Sequence, residues 1–517
     1  DLSSLLTSDN QLVALTALYG AGGFGKTTLA VQVCSLDEVK AVFTGGLLWA
    51  TIGEERRGAE LADIANDLSA QLADARPQFA DPEQAGRYLG QLLDERGPTL
   101  LVVDDIWTVE QLTPFTFGGR HTTRLITTRN AGCLPVNAKT IRVDEMANEE
   151  SQALVSRGLP PLPPRTVQQL LDMTGNWPLL LAMVNGAIRG YVRDGVLPSD
   201  ASRMVAEQIQ AGGPSILDVR IEERRDHAVR LTVAASLRRL PDAERTSYFK
   251  LGIFAEDTNI PLSLLALLWG LTDTETRQLC EDLADLSLVK AYRRGSLTLQ
   301  LHDVIRDHLR HELAGQLQAV NREFLQAART LLPAPESGWW QLPRTAEYLW
   351  RHLPYHLAAA GEYEALKALV LDLRWGSEKI QGFGLATYES DLVHIEGDPV
   401  VDALCRALVR KGHLLGPIDP PHSHPDLLIS RLSQVPELRA LVDEYSTTLP
   451  SNVARLTIRW PIPAADPSLL RVLAGHSAAV TGCAVSPEME WLATASADRT
   501  VRLWDTSTWA ERMVLTG

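Results

Sequence analysis

Five short apolar runs, Leu12 to Leu18, Leu47 to Ile52, Thr99 to Val103, Leu125 to Thr128 and Thr140 to Val143, alternate with stretches of helical period. Strands that are continuously apolar are buried on both faces, so the pattern predicts a parallel sheet covered by helices. From Asn148 to about Ile209 the period is helical, with Pro160 to Pro164, Gly175 and Pro178 marking helix ends. A linker-like Gly212-Gly213-Pro214 follows, then apolar helices around Pro261 to Trp269 and Asp273 to Leu286. Val289 to Tyr292 and Leu297 to Leu301 flank a Gly295-Ser296 turn, and two helices followed by a hairpin read as a winged helix. From His302 to about Tyr445 the helical period returns, rich in Leu, Ala and Trp. Leu473 to Gly517 carries Gly475-His476 and Trp504-Asp505, the marks of one propeller-blade repeat. The expected fold is multidomain, α/β plus α. Its units are a phosphate-loop sheet domain (1–145), a helical domain (146–212), a winged helix (213–303), a second helical domain (304–450) and the start of a propeller (451–517).

The first strand runs into Gly20 to Thr27, G-A-G-G-F-G-K-T, which opens a helix. Glycines let successive backbone N–H groups turn toward phosphate oxygens, a lysine reaches the outer phosphates and a hydroxyl joins a magnesium shell. Lys26 and Thr27 are the residues placed for those two roles, against the plainer reading of a glycine-rich turn. Thr99 to Asp105, T-L-L-V-V-D-D, is an apolar strand ending in two carboxylates at the sheet edge where the loop also lies. Asp104 is expected to hold Mg2+ and Asp105 to orient or deprotonate the attacking water; the alternative is a strand-end turn with Asp as a helix cap. Arg124 to Arg129, R-L-I-T-T-R, ends in a cation, Arg129, that can sense a terminal phosphate or simply be solvated.

Composition narrows the partners. Sixty-four acids against 49 bases give a net charge of −15, a field that repels nucleic acid and acidic membranes. The helix Asp273 to Leu286 sets Asp273, Glu275, Glu281, Asp282 and Asp285 against Arg277, the reverse of a DNA-recognition helix. Five dispersed cysteines, expected as buried thiols, fit a reducing compartment and hence the cytoplasm, and no apolar run has the length of a membrane span. Forty-one arginines against 8 lysines fit a GC-rich, bacterial source, and a start at Asp1 fits a trimmed fragment.

In order, G-G-F-G-K-T-T, L-V-V-D-D-I-W, L-I-T-T-R, G-N-W-P-L, F-A-E-D with Asn259-Ile260-Pro261, and L-H-D resemble the NB-ARC nucleotide switch of STAND ATPases. That family includes plant resistance proteins and the apoptotic protease-activating factor. Tyr348 to Leu373 resembles, more loosely, the helical domain joining this switch to a propeller. The resemblance implies ATP/ADP and Mg2+ as cofactors, with nucleotide contacts at Gly22, Gly23, Phe24, Gly25, Lys26, Thr27, Thr28, Pro178 and His302. Pro178 would meet the adenine and His302 the diphosphate, although a lone Pro can be a helix boundary and a His-Asp pair a cap. Asn176 replaces the family's usual Gly and Leu301 its usual Met, and the adenine-holding segment expected before the first strand lies upstream of Asp1.

In the blade, His476, Ser496, Asp498 and Trp504 resemble the strand-tying tetrad, and Arg512 to Gly517 looks like the start of a next blade. One blade cannot close a propeller, so the natural protein is expected to continue. The function expected is a switch with slow hydrolysis: a closed monomer with ADP, an assembling homo-oligomer with ATP, and a trigger sensed through the propeller, without nucleic-acid or membrane partners. The alternatives are a phosphate-loop enzyme such as a kinase, and a transcription regulator whose DNA-binding domain lies upstream.

Overall fold

Residue Leu101 is fully buried because its strand is an interior one of a five-stranded parallel sheet covered by helices. The computed structural model describes residues 15–20, 22–54, 56–73, 76, 77, 79, 81–135, 138–210, 222–415, 418 and 420–450. In the last stretch it describes 473, 475, 476, 480–486, 490–497, 499–506 and 511–516. β1 (Leu15–Tyr19), β2 (Gly46–Thr51), β3 (Thr99–Ile106), β4 (Thr122–Thr128) and β5 (Lys139–Arg142) lie in the order β2-β3-β4-β1-β5. Every pairing in this sheet is parallel. β3 is buried at all eight positions, as its unbroken apolar run predicts. Leu101 and Val103 share one core with the helices Ala59–Ala70 and Pro82–Asp94, while Leu100 and Val102 share another with Ala30 and Val33 of the helix Lys26–Ser35.

Three further helices, Pro164–Thr174, Pro178–Arg193 and Pro198–Gln210, each open on a proline, the first-turn position where the missing N–H costs nothing. Gly175 (φ 57°) ends the first of them, and Asn176 follows at φ 55°. Both backbones are left-handed, a conformation that asparagine tolerates better than most residues, so the departure from glycine at Asn176 leaves the turn intact.

β6 (Ile260–Pro261), β7 (Ala291–Arg293) and β8 (Thr298–Gln300) form a small antiparallel sheet in the order β6-β8-β7, beside the helices Leu262–Trp269 and Asp273–Asp285. The acidic helix buries one face, through Thr276, Leu279, Cys280 and Leu283, and leaves Asp273, Glu275 and Asp285 exposed; Arg193 pairs with Asp285, and a Cβ on Gly186 would come within 2.9 Å of the Asp285 carbonyl. One continuous core runs from Phe24 and Trp177 through this unit into the helices that follow, as far as Tyr445.

The chain divides into two compact units, residues 1–457 and 458–517. In the second, β9 (Val480–Val485), β10 (Trp491–Ser496), β11 (Thr500–Asp505) and β12 (Glu511–Thr516) make one antiparallel sheet. The hydroxyl joining His476 to Trp504 is that of Thr494, at 2.8 Å from each, where Ser496 was expected; Thr494 faces inward from β10 toward both rings. Thr500 lies 3.2 Å from the other ring nitrogen of His476, and Asp498 is outside the described residues. All five cysteines are free, but the expectation that all are buried fails for Cys483, exposed on β9, and for the half-buried Cys405.

Candidate functional site

The helix Lys26–Ser35 has Gly25 as its N-cap at φ 87°, with no side-chain cap and no acid in its first turn. Its N–H groups and positive dipole end are thus left for an anion, and a Cβ built on Gly25 would meet nothing within 4 Å. This end opens into a cavity of about 330 Å³. The loop and sheet edge supply Gly22, Gly23, Gly25, Lys26, Thr27, Thr28, Asp104, Asp105 and Arg129 to its wall; Leu154, Pro178, Leu179 and Ala182 come from the first helical segment. The winged helix and the helix after it close the cavity with Asp257, Ser287, Val289, Lys290, His302 and Asp303. The structure therefore brings together all the predicted site residues except Phe24. That ring is buried and stacked on Trp177 at 5.7 Å, so a nucleotide contact there is left to its backbone.

Thr27 and Asp104, the pair expected to hold Mg2+, come from two different elements, the helix Lys26–Ser35 and β3. Thr27 donates its hydroxyl to Asp104 at 2.8 Å, and Thr127 on β4 donates to the same carboxylate oxygen at 2.6 Å. A hydroxyl and a carboxylate at the phosphate end of a helix are a donor set suited to Mg2+, a hard ion that prefers oxygen. Asp105 has the left-handed φ of 58°, which turns it out of the strand. Its backbone N–H donates to Thr127, and the Trp107 indole donates to its carboxylate at 3.1 Å. Burial raises the pKa of both aspartates.

Charge is concentrated here out of water. Burial, then Arg129, lowers Lys26 to about 8, and its ammonium donates to the Gly20 carbonyl at 2.8 Å. A bound polyphosphate would raise its pKa again. Arg129 pairs with Asp303 and lies 3.6 Å from Asp105. Burial opposes its charge, but Asp303 and Asp105 offset that and hold its pKa above the ordinary value. Burial, then Lys290, pushes His302 down to about 4, so its ring is neutral at pH 7. Lys290 sits 3.4 Å from Asp257, and Glu256 is raised to about 8 by burial and then by Asp303 and Asp257.

Asp303, Asp257, Glu256 and Lys290 carry much of this charge, yet the sequence alone gives none of them a role at the site. The letters F-A-E-D and L-H-D were visible, but a role needs a partner, and Arg129 lies 174 positions from Asp303. Trp177 is a similar case. A Cβ on Gly23 would come within 2.6 Å of its Nε1, so the indole props the phosphate loop from beneath.

Comparison with known proteins finds three family matches along the chain. Residues 2–158 match the NB-ARC domain, 317–416 the APAF-1 helical domain and 467–505 the WD domain, G-beta repeat. The chain is 24% identical over 527 residues to apoptotic protease-activating factor 1 of Rattus norvegicus, covering 95% of this chain and 40% of that protein. It is 25% identical over 394 residues to a probable disease resistance protein of Arabidopsis thaliana, covering 70% and 44%. Over 314 residues it is 26% identical to the regulatory protein AfsR of Streptomyces coelicolor, covering 59% and 30%. The chain thus spans less than half the length of these relatives. Among solved structures, a STAND protein with a tetratricopeptide repeat sensor from Pyrococcus horikoshii aligns with a TM-score of 0.53 at 12% identity, over 86% of this chain and 63% of that one. That likeness is one of fold.

Proposed function

We propose that this chain, which carries an NB-ARC domain, an APAF-1 helical domain and a WD repeat and is homologous to apoptotic protease-activating factors and plant resistance proteins, is an ADP/ATP-controlled signalling switch with slow hydrolysis. The observation that carries the reading is the pairing of Arg129, at the end of β4, with Asp303, at the start of the helix after the winged helix, across one shared cavity. A cation committed to a carboxylate of another element holds that element in place. Lys26 and the loop N–H groups would hold a diphosphate from the sheet side, and neutral His302 would offer a hydrogen bond from the other. Thr27 and Asp104 would hold Mg2+, which supplies charge neutralisation at the phosphates. Pro178, Leu179 and Leu154 offer an apolar surface suited to a base.

Arg129 has two possible partners in this scheme: Asp303 when the third phosphate is absent, and that phosphate when it is present. Leaving Asp303 frees the winged helix to rotate away, and the sheet-domain surfaces so uncovered assemble into a homo-oligomer. Asp105 orients the water that resets the switch, and the propeller receives the trigger. Moving such an equilibrium from 99:1 closed to 1:99 takes about 5.5 kcal/mol of differential binding, which trigger and phosphate contacts supply jointly.

Chromatography of the denatured, freshly purified protein tests the reading: ADP is expected, and its absence counts against a locked state. In Asp303→Asn the buried Arg129 loses the nearer of its two charged partners and keeps only Asp105, a change worth about 3 kcal/mol. Retained ADP should fall and ATP-dependent assembly should begin without trigger; unchanged ADP retention would remove this pair from the lock.

A further inference from the structure

We propose that Asp105, Glu256, Asp257 and Asp303 form a site for an oxygen-coordinated divalent cation that ties the nucleotide-binding sheet to the winged helix. Each offers one carboxylate oxygen, and the four oxygens lie within 4.8 Å of one another. An ion with metal–oxygen distances of about 2.4 Å holds opposite ligands up to roughly 4.8 Å apart, so the spread suits an ion of calcium's size. The site is separate from the Thr27–Asp104 pair, whose shared carboxylate oxygen is already taken by two hydroxyls.

An independent observation points to a ligand. The Asp257 side chain is 4% exposed, yet its Oδ2 is buried without a hydrogen-bond partner. A Cβ built on Gly53 would lie 3.5 Å from that oxygen, and glycine has no side chain to donate to it. A buried carboxylate oxygen left unpaired is expensive, and coordination to a cation would satisfy it. Charge accounting agrees. Arg129 is in ion-pair contact with Asp105 and Asp303 and Lys290 with Asp257, so three of the four carboxylates meet these two cations. Arg306 lies close enough to lower the pKa of Glu256, but it donates to the Phe254 carbonyl and to Tyr355. Fully ionised, the quartet carries two more negative charges than Arg129 and Lys290 offset, and a divalent ion would neutralise that excess. Seated there, the ion competes with Arg129 for Asp105 and Asp303 while keeping the two domains joined.

The proposal goes beyond the nucleotide switch and does not depend on it, because its probe is the metal alone. Trp107 donates to Asp105 at 3.1 Å, placing an indole against one ligand, so Tb3+ bound there should emit under tryptophan excitation. The full chain is titrated with Tb3+ in magnesium-free buffer. Saturable emission displaced by Ca2+ is expected, at least tenfold weaker in affinity for Glu256→Gln and for Asp257→Asn and within twofold of the parent for Asp104→Asn. Should Asp257→Asn fail to fold, Glu256→Gln, at a less buried position, decides. Emission that is lost with Asp104→Asn but survives both other changes would place the ion at the magnesium pair and overturn the proposal. So would the absence of saturable binding, which would mean that protons satisfy the quartet.

Discussion

At the scale of single residues, the proposed switch divides holding and reacting between Lys26 and Asp105. Lys26 points along the loop and touches the Gly20 carbonyl, whereas Asp105 stands at the strand end, turned out by its left-handed backbone and held by Trp107. Lys26→Ala removes the cation facing the phosphates and should weaken both nucleotides by at least about a hundredfold, read by equilibrium dialysis. Asp105→Asn keeps the shape and loses the base, so binding should hold while single-turnover hydrolysis slows by roughly a hundredfold. Equal losses of affinity in the two variants would contradict the division. Lys26, Thr27, Asp104, Asp105 and Arg129 were legible as candidates because each sits in a short contiguous motif, G-G-F-G-K-T, L-V-V-D-D or L-I-T-T-R. Asp303 as the partner of Arg129 was not, since that contact exists only after two distant segments fold against each other.

Elements show why some positions admit no substitute. Gly23 combines φ +76° with contact against the Trp177 indole, so any side chain there is strained by both its backbone and its neighbour. The left-handed conformation alone costs about 1–2 kcal/mol. Gly23→Val should therefore shift the phosphate loop and release nucleotide, with a smaller change in melting temperature; full nucleotide retention would show that the loop has slack. A second element-level device is the helix Glu347–Ala359, which buries His356 against Phe254 and Phe324, its ring nitrogens 2.8 Å from Asn321 and 3.0 Å from Tyr348. Burial, then Arg310, lowers this histidine to about 3. The folded pKa lies below the ordinary 6.5, so the stability of the neutral form is present above that value and is lost as pH falls from about 6.5 toward 3. Between pH 7 and pH 5 this amounts to about 2 kcal/mol. Denaturant titrations of the parent and His356→Gln at the two pH values should show that difference shrinking in the variant. An identical pH dependence would exclude His356 as its source.

For the whole molecule, the expected behaviour is assembly under nucleotide control. Light scattering of the intact protein with ATP, Mg2+ and its trigger should report an oligomer, and with ADP a monomer; a monomer under both conditions would remove the scaffold from the reading. The sequence by itself determined the order of units, the parallel sheet with its phosphate loop, the winged helix and the blade signature. All of these rest on local periodicity, turn residues and short motifs, which a chain carries without folding. Only the tertiary structure decided that the winged helix closes the cavity, that Arg129 is committed to Asp303, that Trp177 supports Gly23 and that four carboxylates converge with one oxygen of Asp257 unpaired. The reason is physical: a contact between residues far apart in the chain depends on how whole surfaces pack, and the burial that shifts these pKa values is a property of the packed interface, which no single segment carries.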